Sequence, residues 1–442
     1  MTTDFGFAAP FSLNASMPRY RIDAHGTVRV GFIGPLTGDV SAWGLPGRDG
    51  CLIWISQVNA LGGIRIDDKY FKVELISFDD EYDPARARLG ARKLILEDDV
   101  KFIMMLGGDT FPTVVEFANE HKMLTSTLLP SDLSPDTPYT IAPCEVHPIY
   151  NVTGVEWLRE NRPELKRVAL CAQDDSLGLP SLATYRAAFE VAGIDLVREV
   201  LFPGTTTDLA PIVADMLAAK PDILCWDTAY EPFVRALTEQ AYQQGFRGQI
   251  ISCTCDDYRE LVQSTSPEFM EGFVFQFPDF DDPMLNMPQV NFSKPNEFYQ
   301  TFNDRYPGSW SAVSWEYASI LDLWRSAVEM SGTFEPRSVL AAMKAGGTGK
   351  HAFGEARWWG KELFGIDNAL VGNWPVVVIR GGKARIAEFR SIPEWWDRNG
   401  SVLLRHMRSL NQMWDQRVES MIVSGRRPAA GAMAIKDRSR IR

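Results

Sequence analysis

The sequence predicts an α/β fold of two lobes, each a parallel sheet flanked by helices. Strand and helix patterns alternate from residue 28 to residue 252, and this alternation favours parallel sheets because each helix returns the chain to the same sheet edge. The turn-rich segment 131–138 interrupts the alternation once. A chain of 442 residues, 45% hydrophobic and 23% charged, also has the size of two or three globular domains.

The first lobe begins with a strand in which Val28, Val30 and Phe32 alternate. A helix follows and ends at Gly62 and Gly63, since glycine pairs stop helices. The later elements of this lobe are predicted as strand 71–78, helix 84–97, strand 102–106, helix 112–120 and strand 124–128.

The second lobe repeats this order. Its predicted elements are helix 148–161, strand 167–172, helix 179–192, strand 196–202, helix 208–219, strand 223–226, helix 231–244 and strand 249–252. An acidic and aromatic segment, 276–283, then changes the composition. We expect the two helices after it, 296–306 and 311–330, to return to the first lobe.

The C-terminal region is basic and amphipathic. From Arg398 onward, the sequence contains ten Lys and Arg residues and three Asp and Glu residues. The apolar stripe of a helix is formed by Leu403, Met407, Leu410, Trp414 and Met421. We expect disorder after the break at 425–428. Two interpretations stay open: a helix docked on the body with a frayed end, or a helix that contacts a partner or a membrane surface.

Composition argues against several classes of function. A net charge of −12 does not suit nucleic-acid binding, which needs a basic surface. No apolar run approaches the roughly 18 residues of a membrane span. Residues 1–27 carry no recognisable secretory signal, and six cysteines are too sparse for a disulfide framework.

Motifs of catalysis and cofactor binding are also missing. The five histidines have no metal-ligand spacing, and Cys253 and Cys255 have no second ligand pair. Glycines 44, 47 and 50 do not have the dinucleotide-binding spacing. We therefore expect no enzymatic activity, no metal and no cofactor.

Four segments carry a resemblance to a known family. They are Val-Gly-Phe-Ile-Gly-Pro-Leu-Thr-Gly at 30–38 with Trp43-Gly44 after it, Asn-Ala-Leu-Gly-Gly-Ile at 59–64, Asp-Asp-Glu-Tyr-Asp-Pro at 79–84, and Pro-Asp-Ile-Leu at 221–224. Because the four segments occur together in this order and at a similar spacing, residues 28 to 390 resemble the leucine/isoleucine/valine-binding family. These are type I periplasmic binding proteins, which deliver solutes to ABC importers, and the family includes cytoplasmic amide sensors.

The resemblance implies two lobes joined by three hinge crossings, near residues 142, 276 and 355, with the ligand in the cleft between them. Lobe 1 would comprise 28–141 plus 277–354, and lobe 2 would comprise 142–276 plus 355–390. An N-terminal extension, 1–27, precedes them. The amphipathic helix and disordered basic tail, 391–442, follow.

The resemblance also implies ligand-binding residues in lobe 1. Trp43 would cover the ligand. Gly108, Asp109 and Thr110 match a loop that holds a ligand carboxylate in the family, and the next loop contributes Pro130 and Ser131. Asp109 has two interpretations: it caps the following helix, or it faces the cleft, repels anions and favours an amide, amine or cation.

In lobe 2 the resemblance implies a contact from Tyr230 to the polar end of the ligand. Leu177 stands where several relatives have an aromatic residue. Thr254 stands where amino-acid binders place a carboxylate for the ligand ammonium, and a small register shift would bring Asp256 there. Because Asp109 and Thr254 depart from the family pattern, we predict a site that is not a strict amino-acid site.

The expected function is the solute-binding component of a branched-chain-amino-acid-type ABC importer. Its ligand would be a small polar organic molecule related to amino acids, amides or aromatic acids, its partners the permease subunits, and its location the periplasm. The alternative is a cytoplasmic ligand sensor that regulates a partner protein, favoured by the missing signal peptide and the basic tail. The two functions differ in location, which cell fractionation resolves.

Overall fold

The computed structural model describes residues 24–38, 40–144, 147–228 and 230–417. Its strands form two sheets. The strands of the first sheet are β1 (Gly26–Gly34), β2 (Ile64–Ile66), β3 (Lys69–Asp79), β4 (Ile103–Met105), β5 (Thr125–Ser126) and β6 (Thr140–Ile141). They lie side by side in the order β2-β3-β1-β4-β5-β6. We call this sheet with its helices lobe 1.

The pairing in lobe 1 is parallel from β3 to β6. The edge strand β2 pairs antiparallel with β3 and was not predicted from the sequence. The predicted parallel sheet of this lobe is therefore confirmed, with one antiparallel strand added at its edge.

The second sheet, which with its helices forms lobe 2, contains the other described strands. They are β7 (Arg167–Gln173), β8 (Asp195–Phe202), β9 (Ile223–Asp227), β10 (Gln249–Ser252), β11 (Val274–Phe275), β12 (Thr348–His351), β13 (Gly354–Trp359), β14 (Ala369–Arg380) and β15 (Lys383–Ser391). Strands β8, β7, β9, β10 and β11 pair in parallel in that order, which confirms the parallel sheet predicted for this lobe; β11 was not among the predicted strands.

Strands β12 to β15 extend this sheet in antiparallel pairing, which the sequence did not predict. The chain re-enters the second sheet at Thr348, seven residues before the crossing that was predicted near residue 355. Strand β13 places Trp358 and Trp359 in the core.

The helices cover the sheets. They are α1 (Ser41–Ala60), α2 (Pro84–Leu96), α3 (Phe111–Glu120), α4 (Asn151–Asn161), α5 (Gly178–Ala192), α6 (Ala210–Ala218), α7 (Glu231–Gln243), α8 (Tyr258–Ser264), α9 (Pro267–Met270), α10 (Pro295–Arg305), α11 (Val313–Ser331), α12 (Pro336–Met343), α13 (Lys361–Phe364) and α14 (Ile392–Ser409). Helices α10 and α11 pack against α1, so the chain returns to lobe 1 as predicted.

A stripe of glycines on α1 allows close packing. At Gly44, an added Cβ would lie 1.9 Å from the carbonyl oxygen of Pro35. At Gly47 it would lie 2.6 Å from the ring of Tyr317, and at Gly50 it would lie 1.8 Å from a carbonyl oxygen of α11. Residues three apart share one helix face. At Gly47 and Gly50 this spacing therefore serves the contact between α1 and α11, whereas Gly44 allows the close approach of Pro35.

An aromatic cluster joins the two lobes beneath the cleft. The ring of Trp374 on β14 lies 5.5 Å from Tyr150, 5.8 Å from Phe277 and 6.1 Å from Trp315, measured between centroids. Trp315 belongs to α11 of lobe 1, whereas Trp374 belongs to the second sheet. This cluster fixes the floor of the cleft.

The C-terminal helix α14 packs on α5 and β14 of lobe 2. Leu403 and Met407 of the predicted stripe are buried in this contact. The following residues 410–417, which we call the C-terminal strap, place Trp414 against Gly365 beside Pro135. Met421 and the tail predicted to be disordered lie outside the described residues. None of the described helices has the length and apolar character to cross a membrane.

Candidate ligand-binding site

A cavity of about 440 Å³ lies between the lobes, and we call it the first cavity. Lobe 1 contributes the first turn of α1 and the segment 308–313 before and at the start of α11. Lobe 2 contributes the start of α7 and the loop that follows β10. Ligands of open α/β sheets bind at the carboxyl ends of the strands, and the loops after β4, β9 and β10 meet there.

One wall of the first cavity is aromatic. The ring of Trp43 lies 5.6 Å from that of Tyr230 and 6.3 Å from that of Tyr82, with edge-to-face geometry in both pairs. Trp43 belongs to lobe 1 and Tyr230 precedes α7 of lobe 2. The Trp43–Tyr230 contact therefore crosses the cleft and holds the lobes in a closed arrangement.

Two hydrogen bonds cross the cleft as well. The backbone N–H of Ala312 donates to Oδ2 of Asp256 over 3.2 Å. The guanidinium of Arg259 donates to the hydroxyl of Tyr299 on α10 over 2.8 Å. Closure is thus supported by polar contacts in addition to the aromatic pair.

Three carboxylates cluster at the lobe 2 end of the first cavity. Glu231 accepts the backbone N–H groups of Asp256 and Asp257, each over 3.1 Å. Burial raises the pKa of Glu231, and the negative charges of Asp256 and Asp257 raise it further. Burial raises the pKa of Asp256 to about 7. Buried carboxylates attract a positive charge or a hydrogen-bond donor.

The other polar side chains of this cavity add no positive charge. His147 is buried, and burial lowers its pKa to about 4, so its ring is neutral at pH 7. Glu316, on α11, is fully buried at the cavity wall. Among the described residues lining the first cavity, none is Lys or Arg.

A second cavity, of about 740 Å³, adjoins the first. Tyr82 and Leu129 line both. Asp132 lies in its wall, where its carboxylate accepts the Thr127 hydroxyl over 2.6 Å and the Gly108 N–H over 3.1 Å. Burial raises the pKa of Asp132 to about 7, and the guanidinium of Arg417 opposes that rise.

The structure divides the residues predicted as one site. The first cavity is lined by Trp43, Leu177, Tyr230, Thr254 and Asp256. The second is lined by Gly108, Asp109 and Ser131. Two others line neither cavity: Thr110 is buried with its hydroxyl donating to the carbonyl of Gly107, and Pro130 is buried at the start of a 3-10 turn.

The position of Asp109 distinguishes its two interpretations. The N-cap residue of α3 is Thr110, and no side-chain hydrogen bond caps this helix. Asp109 is exposed on the second cavity, away from the Trp43–Tyr230 pair. Its carboxylate therefore does not cap α3, and Asp109 lines the second cavity rather than the first.

Several lining residues were not predicted. Tyr82 lies within the segment 79–84, whose resemblance was noted without a role for its tyrosine. Glu231 adjoins the predicted Tyr230. Trp310 and Glu316 come from the return of the chain to lobe 1, far from the other lining residues in sequence, and the sequence carried no signal for them.

Comparison with known proteins gives the following similarities. A sequence model of the periplasmic binding protein family matches residues 27–383. Leu/Ile/Val-binding protein homolog 2 of Brucella abortus (strain 2308) is 23% identical over 335 residues, covering 74% of this chain and 85% of that protein. Leu/Ile/Val-binding protein BraC3 of Rhizobium johnstonii is 24% identical over 233 residues, covering 52% of this chain and 61% of that protein.

Solved structures share the fold at low sequence identity. The leucine-binding protein LivK of Thermotoga maritima superposes with a TM-score of 0.65 and 18% identity, over 83% of this chain and 100% of that one. An ABC-transporter solute-binding protein of Rhodopseudomonas palustris BisB5, in complex with 3,4-dihydroxybenzoic acid, has a TM-score of 0.64 and 20% identity, over 83% of this chain and 98% of that one.

Proposed function

Because this chain belongs to the periplasmic binding protein family, we propose that it is the solute-binding component of a branched-chain-amino-acid-type ABC transport system. It captures a small organic ligand in the first cavity and presents it to permease subunits in the periplasm. The observation that carries this proposal is a cavity enclosed by both lobes, with Trp43 and Tyr230 in contact across it. Hinge closure around a ligand is the motion that such an arrangement supports.

The apolar walls of the first cavity favour a ligand with an apolar or aromatic body. Leu106, Leu128 and Phe277 line it together with the Trp43–Tyr230 pair. A volume of about 440 Å³ lies within the range of small-molecule sites, roughly 300–1,000 Å³. A ligand of amino-acid size, or one with a single aromatic ring, fits these dimensions.

The charge of the same cavity favours an ammonium or amide group on the ligand. Glu231, Asp256 and Asp257 lie at one end, and none of the described lining residues is Lys or Arg to offset them. A ligand carboxylate directed at that end would be repelled, whereas an ammonium or amide N–H would be bound. We therefore assign the ligand to the amines and amides related to amino acids.

Thermal unfolding in the presence of a compound library tests this proposal. Amino acids, amides, amines and aromatic acids are added singly, because a compound that binds the folded chain alone raises the midpoint of unfolding. At a hundred times its dissociation constant, a ligand adds about 2.7 kcal/mol of stability. We expect the largest shifts from amines or amides with an apolar or aromatic body. Shifts confined to aromatic acids would contradict this ligand class. Shifts confined to leucine, isoleucine and valine would contradict the prediction that this is not a strict amino-acid site.

The affinity for an ammonium ligand is expected to depend on Asp256 and on pH. The ammonium binds the ionised carboxylate, and the pKa of Asp256 is about 7, so raising the pH from 6 to 8 ionises this group. Affinity should increase roughly tenfold over that range, because the ionised fraction of a group with a pKa of about 7 rises from about a tenth at pH 6 to about nine tenths at pH 8. Isothermal titration calorimetry at both pH values measures it.

The Asp256→Asn variant should bind the same ligand more weakly and lose the pH dependence. Its amide oxygen still accepts the N–H of Ala312, so the cross-cleft hydrogen bond is kept. Asp304→Asn, on the exposed surface of α10, is the matched control and should behave as the parent. An unchanged pH profile in Asp256→Asn would assign the effect to another group.

A further inference from the structure

The second cavity lies where the described chain ends. The C-terminal strap contributes Gln412, Trp414 and Arg417 to its lining. Residues 418–442 continue from Arg417, so 25 residues of chain follow a residue that lines a cavity of about 740 Å³. The periplasmic binding protein match ends at residue 383, and the strap and the tail both lie beyond it.

This cavity is acidic. Asp109, Glu116 and Asp136 line it, and among the described residues their carboxylates take part in no hydrogen bond or ion pair between side chains. Asp132 differs, since its carboxylate is occupied by the Gly108 N–H and the Thr127 hydroxyl. Of the described lining residues, Arg417 alone is basic.

The cavity also has apolar and aromatic walls. Phe111, Leu133 and Trp414 line it beside the carboxylates of Asp109, Glu116 and Asp136. A segment that carries apolar residues followed by arginines would match both features, because guanidinium groups pair with carboxylates and stack on aromatic rings.

The sequence after Arg417 has this composition. Met421, Ile422 and Val423 are apolar, and Arg426 and Arg427 follow them. From 418 to 442 there are six Lys and Arg against one Asp and one Glu. Arg426 is nine residues beyond Arg417, a distance that an extended chain spans up to about 30 Å.

We propose that the second cavity is the docking site of this chain's own C-terminal tail, residues 418–442. The apolar residues 421–423 pack on Phe111 and Trp414, and the basic residues face Asp109, Glu116 and Asp136. Tethering at Arg417 makes the association intramolecular, with an effective concentration in the millimolar range for a short linker.

Photo-cross-linking in the full chain tests this docking. A benzophenone amino acid replaces Val423, and the cross-linked peptides are mapped by mass spectrometry. The experiment is done at low salt and at about 0.5 M salt, because the higher concentration screens interactions between surface charges. We expect intramolecular cross-links to residues 108–116 or 131–137, with a yield at least threefold lower in high salt. Cross-links to other surfaces, or between two copies of the chain, would overturn the proposal.

A charge-matched pair of variants separates docking from a general charge effect. The triple variant D109N/E116Q/D136N should reduce the cross-link yield at least threefold. The control D68N/E268Q/D304N changes the net charge equally at exposed positions away from the cavity and should not reduce it. Equal yields from the two triple variants would overturn the proposal. Thermal unfolding of each variant verifies that it is folded.

Discussion

A Gly50→Ala variant is expected to unfold with a free energy about 3 kcal/mol lower than that of the parent chain. The added Cβ would lie 1.8 Å from the carbonyl oxygen of Ser314, which belongs to the backbone of α11. If the contacted atom belonged to a side chain, that side chain could rotate away, but a backbone carbonyl within a helix cannot. The two helices must therefore separate by more than an ångström, with loss of the packing between them.

The same separation would disturb the first cavity. Helix α1 carries Trp43 in its first turn, and α11 carries Glu316 at its start. Alanine is favoured over glycine inside a helix by about 1 kcal/mol, so the steric cost must exceed this gain. Urea denaturation followed by circular dichroism measures the net difference in free energy.

Gly204→Ala is the matched control for Gly50→Ala. The nearest atoms to a Cβ at Gly204 lie 3.8 Å away, an ordinary contact distance, and the change should leave the free energy of unfolding within about 0.5 kcal/mol. If Gly50→Ala were as stable as Gly204→Ala, the close packing of α1 on α11 would not hold in solution.

Replacing Trp43 with alanine should weaken ligand binding about a hundredfold, close to 3 kcal/mol. Trp43 lines the first cavity and contacts Tyr230 across the cleft, so its removal takes away both ligand contact and a contact that supports closure. Calorimetric titration with the amine or amide that gives the largest thermal shift measures the loss.

Trp43→Phe tests whether an aromatic ring at this position is sufficient for ligand binding. Phenylalanine keeps an aromatic ring that can meet the edge of Tyr230, and its affinity should fall less than about fivefold. Trp43 is partly exposed, so neither variant should alter unfolding much. Unchanged affinity in Trp43→Ala would place the ligand outside the first cavity.

Much of the alternating α/β pattern was predictable because each element has its own local signal. Strand 249–252 was predicted at its observed bounds, and the helix predicted over 84–97 is observed over Pro84–Leu96. Strands β12 to β15 were missed because their partners are set by the tertiary return of the chain, and aromatic residues such as Trp358 and Trp359 do not alternate with polar ones.

The family was also predictable, and the match over residues 27–383 confirms it. The candidate site was less accessible to sequence reasoning. Register along the loops decides which side chain enters a cavity: Asp109 and Thr110 are neighbours, yet Asp109 lines the second cavity while Thr110 is buried in hydrogen bonding. The C-terminal strap forms a wall of the second cavity, and its position depends on the path of the chain after α14. The periodicity of the helix does not predict that path.

The six cysteines make the molecule well suited to distance measurements on lobe motion. All six are buried, and burial raises the pKa of Cys51, Cys171 and Cys225, which keeps these thiols protonated and slow to react. A spin label or fluorophore directed to one engineered surface cysteine on each lobe would therefore report opening and closing without removal of any native thiol.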